Sequence, residues 1–237
     1  MKPLLVLAGG FGTRLRNLVS DVPKSLAPVC GKPFLIHLIY KWIDQGAKDF
    51  IFLLHHEHLL IEETLSELKK DKILKGVRFR VIVEEKPLGT GGSILNAIEV
   101  LNISTSFLVT NSDTWLGSGI KEMTNTNINT IGAVNVEDCS RYGALEINGE
   151  KVLNFLEKKF SNKSGLINAG IYHLSPEIFS NYKSGSTFSL EKNIFPAVAE
   201  KKELSFLRLD VDFMDIGIPD DYLRFCNWMK MECSFEL

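Results

Sequence analysis

The alternation of short apolar runs with helix-length segments restricts this chain more than any other feature of its sequence. Residues 4–8, 50–54, 78–83 and 107–110 are apolar runs of strand length, and segments 34–45, 59–70 and 92–101 between them carry apolar residues at helical spacing. Strands that are apolar on both faces, separated by amphipathic helices, build a parallel sheet covered by helices on either side. The first half is therefore expected to be Rossmann-like. From about residue 130 the texture turns β-rich, with strands expected at 131–136, 143–147, 152–157 and 167–174, Asn148-Gly149 as a hairpin turn, and helices at 176–182, 190–200 and 220–231. No internal repeat, low-complexity linker or composition break divides the chain. The expectation is one α/β domain over residues 1–237, with a mixed, mostly parallel sheet flanked by helices. Residues 130–237 extend the sheet begun by residues 1–129 and add a β-rich lobe, and the active site lies between the two halves.

At 237 residues and 45% hydrophobic content, the chain can bury a sizeable core unaided. Its formal net charge of -2, with Lys and Arg scattered, provides no basic stripe for nucleic-acid phosphates, so nucleic acid is not an expected partner. Cys30, Cys139, Cys226 and Cys233 show no CxxC pairing, which suits reduced thiols and argues against structural zinc. The apolar run at residues 3–8 is too short for a signal-peptide core or a membrane span. A cytoplasmic location and no membrane partner are expected.

The most informative segment is LLVLAGGFGTRL, where a buried strand ends in Gly9, Gly10 and Gly12 and is followed by Thr13 and Arg14. Glycines allow backbone N–H groups to approach an anion at positions where a side chain would block it. A tight turn would use the same residues. Two familiar nucleotide loops do not fit: GxGxxG needs a glycine where Leu15 stands, and Walker A needs a GK[ST] ending. A basic pair does accompany the loop, Arg14 within it and Lys24 in VPKSLAPV, where Pro23 and Pro28 stiffen the approach. Such cations suit the charge that develops on a pyrophosphate leaving group, although by local sequence Lys24 is equally a solvated loop lysine.

Two carboxylates stand out for their settings. Asp113 follows the apolar run FLVTNS, at a strand's C-terminal edge where ligands of open α/β sheets gather. Asp215, in FMDIG, sits in an apolar context that is costly for a carboxylate without a cation or hydrogen bonds. Either is also a plausible helix or turn cap. His55, His56 and His58 invite a metal reading, but neighbours on a strand end point to opposite faces, and the cluster is read as loop chemistry.

Taken together, LAGGFGTRLRNLVSDVPKSLAPVCGKPFL, EEKPLGTGGSI, LVTNSDTW, FLEKK, GLINAGIYHL, FSLEKNIFP and FMDIGIPDDY resemble the signature of the sugar nucleotidyltransferases, or nucleotide-sugar pyrophosphorylases. The resemblance covers nearly the whole chain and implies the nucleotide-diphospho-sugar transferase type of fold. It implies a reaction in which a sugar 1-phosphate and a nucleoside triphosphate give a nucleotide sugar and pyrophosphate. By position, Ala8, Gly9, Gly10, Gly12, Thr13 and Arg14 would hold the triphosphate, with Lys24 against its α-phosphate region and Gly89 and Thr90 also on the nucleotide side. Asp113 and Asp215 would hold one Mg²⁺. Lys158 would take the acceptor phosphate, Glu157 the sugar hydroxyls, and Gly143, Asn168, Ala169 and Gly170 would line the sugar pocket. Three departures concern loop shape rather than charge: NSD for NGD, EKK for EKP, and Asn17 where many members have Pro.

Within the family, SDVPKSLAPV, LGTGG, SRYGAL, EKKFSNKSGLINAGIYHL and FSLEKNIFP most resemble the D-glycero-α-D-manno-heptose 1-phosphate guanylyltransferases, which implies GTP as the nucleotide. Glu84 fits that branch, because a carboxylate is acceptor-only and matches the adjacent ring and exocyclic N–H donors of guanine. Many thymidylyl and uridylyl relatives resemble this segment but carry Gln there. Glu84 is also within reach of Lys86, and Glu85 is the inward residue if the strand is turned over. Association into a homo-oligomer is left open, as is a non-catalytic nucleotide-sugar-binding role.

Overall fold

The computed structural model describes the chain except Met1, Thr13, Asn17, Ser20, Asp21, Gly143 and residues 157–162 and 236–237, and gives the backbone alone for Leu156 and residues 233–235. Strand β1 (Leu4–Leu7) begins with three buried residues and lies inside the sheet. It is followed by the hairpin β2 (Pro28–Val29) and β3 (Lys32–Pro33), then α1 (Phe34–Asp44), β4 (Asp49–Leu54), α2 (His58–Leu68), β5 (Arg78–Val83), α3 (Gly89–Leu101) and β6 (Phe107–Asn111). Helix α1 forms because Phe34, Leu35, Leu38, Ile39 and Trp42 fall on one face and are all buried.

The remaining elements are β7 (Thr114–Leu116), α4 (Ile120–Thr124), β8 (Thr130–Val136), β9 (Ala144–Asn148), β10 (Lys151–Leu156), β11 (Gly165–Leu174), α5 (Phe195–Glu200), β12 (Ser205–Arg208), β13 (Phe213–Asp215) and α6 (Pro219–Phe235). One nine-stranded sheet runs in the order β5-β4-β1-β6-β11-β8-β12-β10-β9. It is parallel from β5 to β6. Beyond β6, strand β11 is antiparallel to both β6 and β8 and so joins the two halves of the chain. Adjacent residues of each strand face opposite sides, so Leu4, Val6, Phe50 and Phe52 enter one hydrophobic core while Leu5, Ile51 and Leu53 enter the other. Among the described residues, no helix is long and apolar enough to cross a membrane.

The first four long strands in chain order lie as third, second, first and fourth, so the winding reverses between β1 and β6. The C-terminal ends of two strands diverge there, which is where open α/β sheets bind ligands. Helix α6 closes the same end of the molecule: Phe225 packs on Phe34 at 5.0 Å and on Trp115 at 5.3 Å between ring centroids. This packing covers a two-stranded ribbon in which β13 pairs antiparallel with β7, with Asp215 opposite Thr114.

Several local expectations shift. The helix expected from residue 92 begins at Gly89, and the one expected over 176–182 is a single 3₁₀ turn, Pro176–Phe179. The segment expected as one helix over 190–200 opens with a π-helical turn, Leu190–Ile194, before α5. Pro196 has no N–H to continue an α-helical ladder back across that boundary, so the preceding turn widens. The tight turn between β9 and β10 falls at Gly149-Glu150, because Asn148 itself pairs with Lys151. Elements β2, β3, β7, α4, β12 and β13 have two to five residues each and show no period in sequence.

Candidate active site

The glycine loop leaves β1 with the Ala8 N–H bonded to the Leu53 carbonyl at 3.0 Å. Gly12 has φ +59°, and a Cβ there would come 3.0 Å from the Cβ of Lys24. The loop therefore lies directly on the 3₁₀ turn Lys24–Leu26. Leu15, buried and bonded from its N–H to the Gly12 carbonyl at 3.0 Å, anchors the loop from behind. Ala8, Gly9, Gly10, Gly12, Arg14 and Lys24 all line one cleft of about 560 Å³. Thr13 lies outside the described residues.

Asp113 and Asp215 meet at the edge of this cleft through the β7–β13 ribbon, secured by the Ile216 N–H bonded to the Asp113 carbonyl at 3.0 Å. Lys24 Nζ sits between their carboxylates, 2.7 Å from Asp113 Oδ2 and 3.5 Å from Asp215 Oδ1. The Gly217 N–H donates to Asp215 Oδ1 at 2.7 Å. Burial and the neighbouring charge of Asp113 raise the pKa of Asp215, opposed by Lys24, by the Gly217 hydrogen bond and by Arg14. Lys24 is thus shared between two carboxylates at one place. Two carboxylates beside this cleft are hard oxygen donors of the kind that hold Mg²⁺ together with phosphate oxygens and water.

Glu84 also lines this cleft and is buried, while Glu85 and Lys86 are exposed. Its Oε2 accepts from the Leu88 N–H at 3.0 Å and its Oε1 from the Ser93 hydroxyl. These bonds fix the carboxylate at the start of α3, and each oxygen keeps a lone pair for a further donor. Gly89 and Thr90 also line the cleft. The LGTGG glycines serve a structural purpose beside it: the N–H groups of Gly91 and Gly92 both bond to the Phe188 carbonyl, at 3.0 and 3.3 Å. Thr90 Oγ1 donates to Glu191 at 2.9 Å and accepts from the Leu190 N–H at 2.9 Å. Glu191 thereby enters the cleft wall from the FSLEKNIFP segment.

Asn168, Ala169 and Gly170 occupy an irregularity in β11, where the pairing with β8 shifts between Asn168 and Tyr172. Asn168 holds it, accepting from the Gly170 N–H at 2.9 Å and donating to the Tyr172 hydroxyl at 2.9 Å. Gly170 has φ +74°, and a Cβ would lie 2.6 Å from Nδ2 of Asn111, itself a cleft residue. None of the three is among the residues that line the cleft, and Gly170 adjoins it through Asn111. Gly143, Glu157 and Lys158 lie outside the described residues.

The histidines disperse to separate partners. His55 Nδ1–H donates to the Glu84 carbonyl at 2.9 Å, His56 Nε2 accepts from Arg16 at 2.8 Å, and His58 pairs with Glu62 at 2.7 Å. Among the described residues, no group of three or more His, Cys, Asp or Glu side chains is placed to hold a metal. Sequence reasoning did not assign Phe11, Ser93, Asn111, Glu191 or Gly217, all of which line the cleft. Phe11, Ser93, Asn111 and Gly217 each sit within three residues of an assigned position, and Glu191 lies in the FSLEKNIFP segment.

Residues 4–230 match the family model described as nucleotidyl transferase. D-glycero-alpha-D-manno-heptose 1-phosphate guanylyltransferase from Campylobacter jejuni is 31% identical over 222 residues, covering 93% of this chain and 97% of that relative. Mannose-1-phosphate guanylyltransferase catalytic subunit beta from Xenopus tropicalis is 34% identical over 235 residues, covering 95% of this chain, which spans only 64% of that relative's length. The crystal structure of HddC from Yersinia pseudotuberculosis complexed with GMP-PN superposes with a TM-score of 0.81 at 33% identity, covering 97% of this chain and 100% of the other. A UDP-glucose pyrophosphorylase complexed with UDP-glucose, 20% identical, shares the fold with a TM-score of 0.81, covering 98% of this chain and 99% of the other.

Proposed function

The chain belongs to the nucleotidyl transferase family and is a nucleotidyltransferase, and from that premise we propose that it joins GTP to D-glycero-α-D-manno-heptose 1-phosphate, forming GDP-heptose for surface polysaccharide synthesis and releasing pyrophosphate. The observation that carries this reading is that Arg14, Lys24, Asp113 and Glu84 line one cleft, with Asp215 joined to it through Lys24. A GTP- and thiol-rich cytoplasm is the setting that suits it.

An oxygen of the sugar phosphate attacks the α-phosphorus in line, a new P–O bond forms, and the bond from that phosphorus to the oxygen bridging to the β-phosphate breaks. The attacking phosphate is already anionic, so no general base is needed, and positioning with charge neutralisation supplies the catalysis. The glycine loop presents backbone N–H groups to the triphosphate, Arg14 offsets charge on the leaving pyrophosphate, and Lys24 faces the reacting α-phosphate. Asp113 and Asp215 would hold Mg²⁺, which when bound supplies charge neutralisation across the phosphates. Glu84 accepts from the two adjacent N–H donors of guanine, whereas a pyrimidine such as uracil sets a carbonyl against it. Lys158 takes the acceptor phosphate, Glu157 the sugar hydroxyls, and Gly143, Asn168, Ala169 and Gly170 serve the sugar.

The Campylobacter relative's coverage at both ends favours heptose. The 34% identity to the Xenopus enzyme favours mannose 1-phosphate as the second reading. Pyrophosphate release with GTP and the 1-phosphates of D-glycero-α-D-manno-heptose, mannose and glucose separates them. The heptose phosphate is expected to give the highest kcat/KM. A preference for mannose 1-phosphate would move the assignment to the second reading, and no release with any acceptor would overturn both. Lys158→Ala is expected to raise the KM for the sugar phosphate, and Arg14→Ala to act on nucleotide use.

A further inference from the structure

Phe11 is the one aromatic side chain among the described residues lining the cleft, and it is 48% exposed. A large apolar ring left half in water between Gly10 and Gly12 gains little from burial, and a phosphate-binding backbone has no use for it. The ring is nevertheless held in place. It packs edge-on against His55, 5.8 Å between centroids at 83°, and tilted against His56 at 5.1 Å. His55 is fixed by its bond to the Glu84 carbonyl, and His56 by Arg16. The aromatic shelf therefore rests on the backbone of Glu84, which lines the same cleft.

We infer that Phe11 is the aromatic wall of the nucleotide pocket: a base whose edge meets Glu84 lies with its face on the Phe11 ring, and the contact favours purines because their ring area is larger. The inference rests on the guanine-nucleotide reading of this cleft and adds a second, shape-based source of base selection to the hydrogen bonding of Glu84.

The test is equilibrium titration of non-hydrolysable GTP and UTP analogues into wild type, Phe11→Leu and Phe11→Tyr, with the KM for the sugar 1-phosphate measured alongside. Leucine keeps apolar bulk but removes the flat face. Phe11→Leu is expected to weaken the GTP analogue by about tenfold, the UTP analogue by less, and to leave the acceptor KM and the melting temperature unmoved, while Phe11→Tyr retains wild-type affinity. A Phe11→Leu protein that holds the GTP analogue as tightly as wild type, or loses both analogues equally, overturns the role of Phe11 and leaves the guanine reading standing. A wild type that binds the UTP analogue as tightly as the GTP analogue overturns the guanine reading itself, and the purine preference assigned to Phe11 with it.

Discussion

The carboxylates of Asp113 and Asp215 converge on one cation, with Lys24 Nζ 2.7 Å from the first and 3.5 Å from the second. Neither the parallel sheet nor the glycine loop brings them together. The pairing of β13 with β7 does, setting Asp215 opposite Thr114, the residue after Asp113.

Asp113→Asn and Asp215→Asn are each expected to reduce turnover by on the order of 10²-fold or more, since each removes a charge from the group that balances the phosphates. The fold should survive, and near-unchanged activity with unaltered magnesium dependence in Asp113→Asn would remove the metal assignment.

Stability should move differently from activity at Asp215. Its folded pKa is raised above the ordinary 3.8 by burial and by Asp113, so the folded state binds this proton more tightly than the unfolded chain does. Its contribution is therefore fully present below 3.8 and is lost as pH rises through the raised value. Asp215→Asn removes that loss, and in urea unfolding at neutral pH the ligand-free variant should be at least as stable as wild type. Marked destabilisation would show that the carboxylate is a structural element instead.

The opposite sign applies at His173, which burial, and then the charge of Lys2, holds below its ordinary 6.5. The unfolded state takes up this proton first, so stability is present above 6.5 and is lost as pH falls through it toward the lowered value. His37, lowered mainly by burial, acts in the same direction. Unfolding free energy should fall between about pH 7.5 and 5.5, and the slope should flatten in His173→Gln. An unchanged slope would assign the dependence to other groups.

Gly170→Ala puts a Cβ 2.6 Å from Asn111 Nδ2 on a backbone with φ +74°. The strain should cost roughly 1–3 kcal/mol in chemical denaturation and displace Asn111 from the cleft wall, lowering activity as well. Wild-type stability would mean that the β11 irregularity relaxes freely.

What could be seen in sequence follows element length. The strands and helices of the first half are long enough to show their periods, and the glycine loop announces itself by composition. Asp113 was placed by the strand before it. The ribbon that brings Asp215 to Asp113 consists of two three-residue strands, too short for any period, and its pairing depends on the contacts of α6 with Phe34 and Trp115. Glu84 was separable from Glu85 only through the structure, where the Leu88 N–H and Ser93 hydroxyl turn its carboxylate inward. The Asn168–Gly170 segment was named by motif, yet its support of the cleft through Asn111 depends on a register shift that sequence does not display.

Base selection by an inward carboxylate is the central claim, and the specificity constants for GTP, UTP, dTTP, CTP and ATP with the preferred sugar 1-phosphate, in wild type, Glu84→Gln and Glu85→Gln, test it most directly. The account predicts that wild type prefers GTP over the pyrimidine nucleotides by on the order of 10⁴-fold, that Glu84→Gln erodes the preference, and that the exposed Glu85 can be changed without effect. A wild type that prefers UTP or dTTP would contradict the guanylyl assignment and the heptose reading built on it.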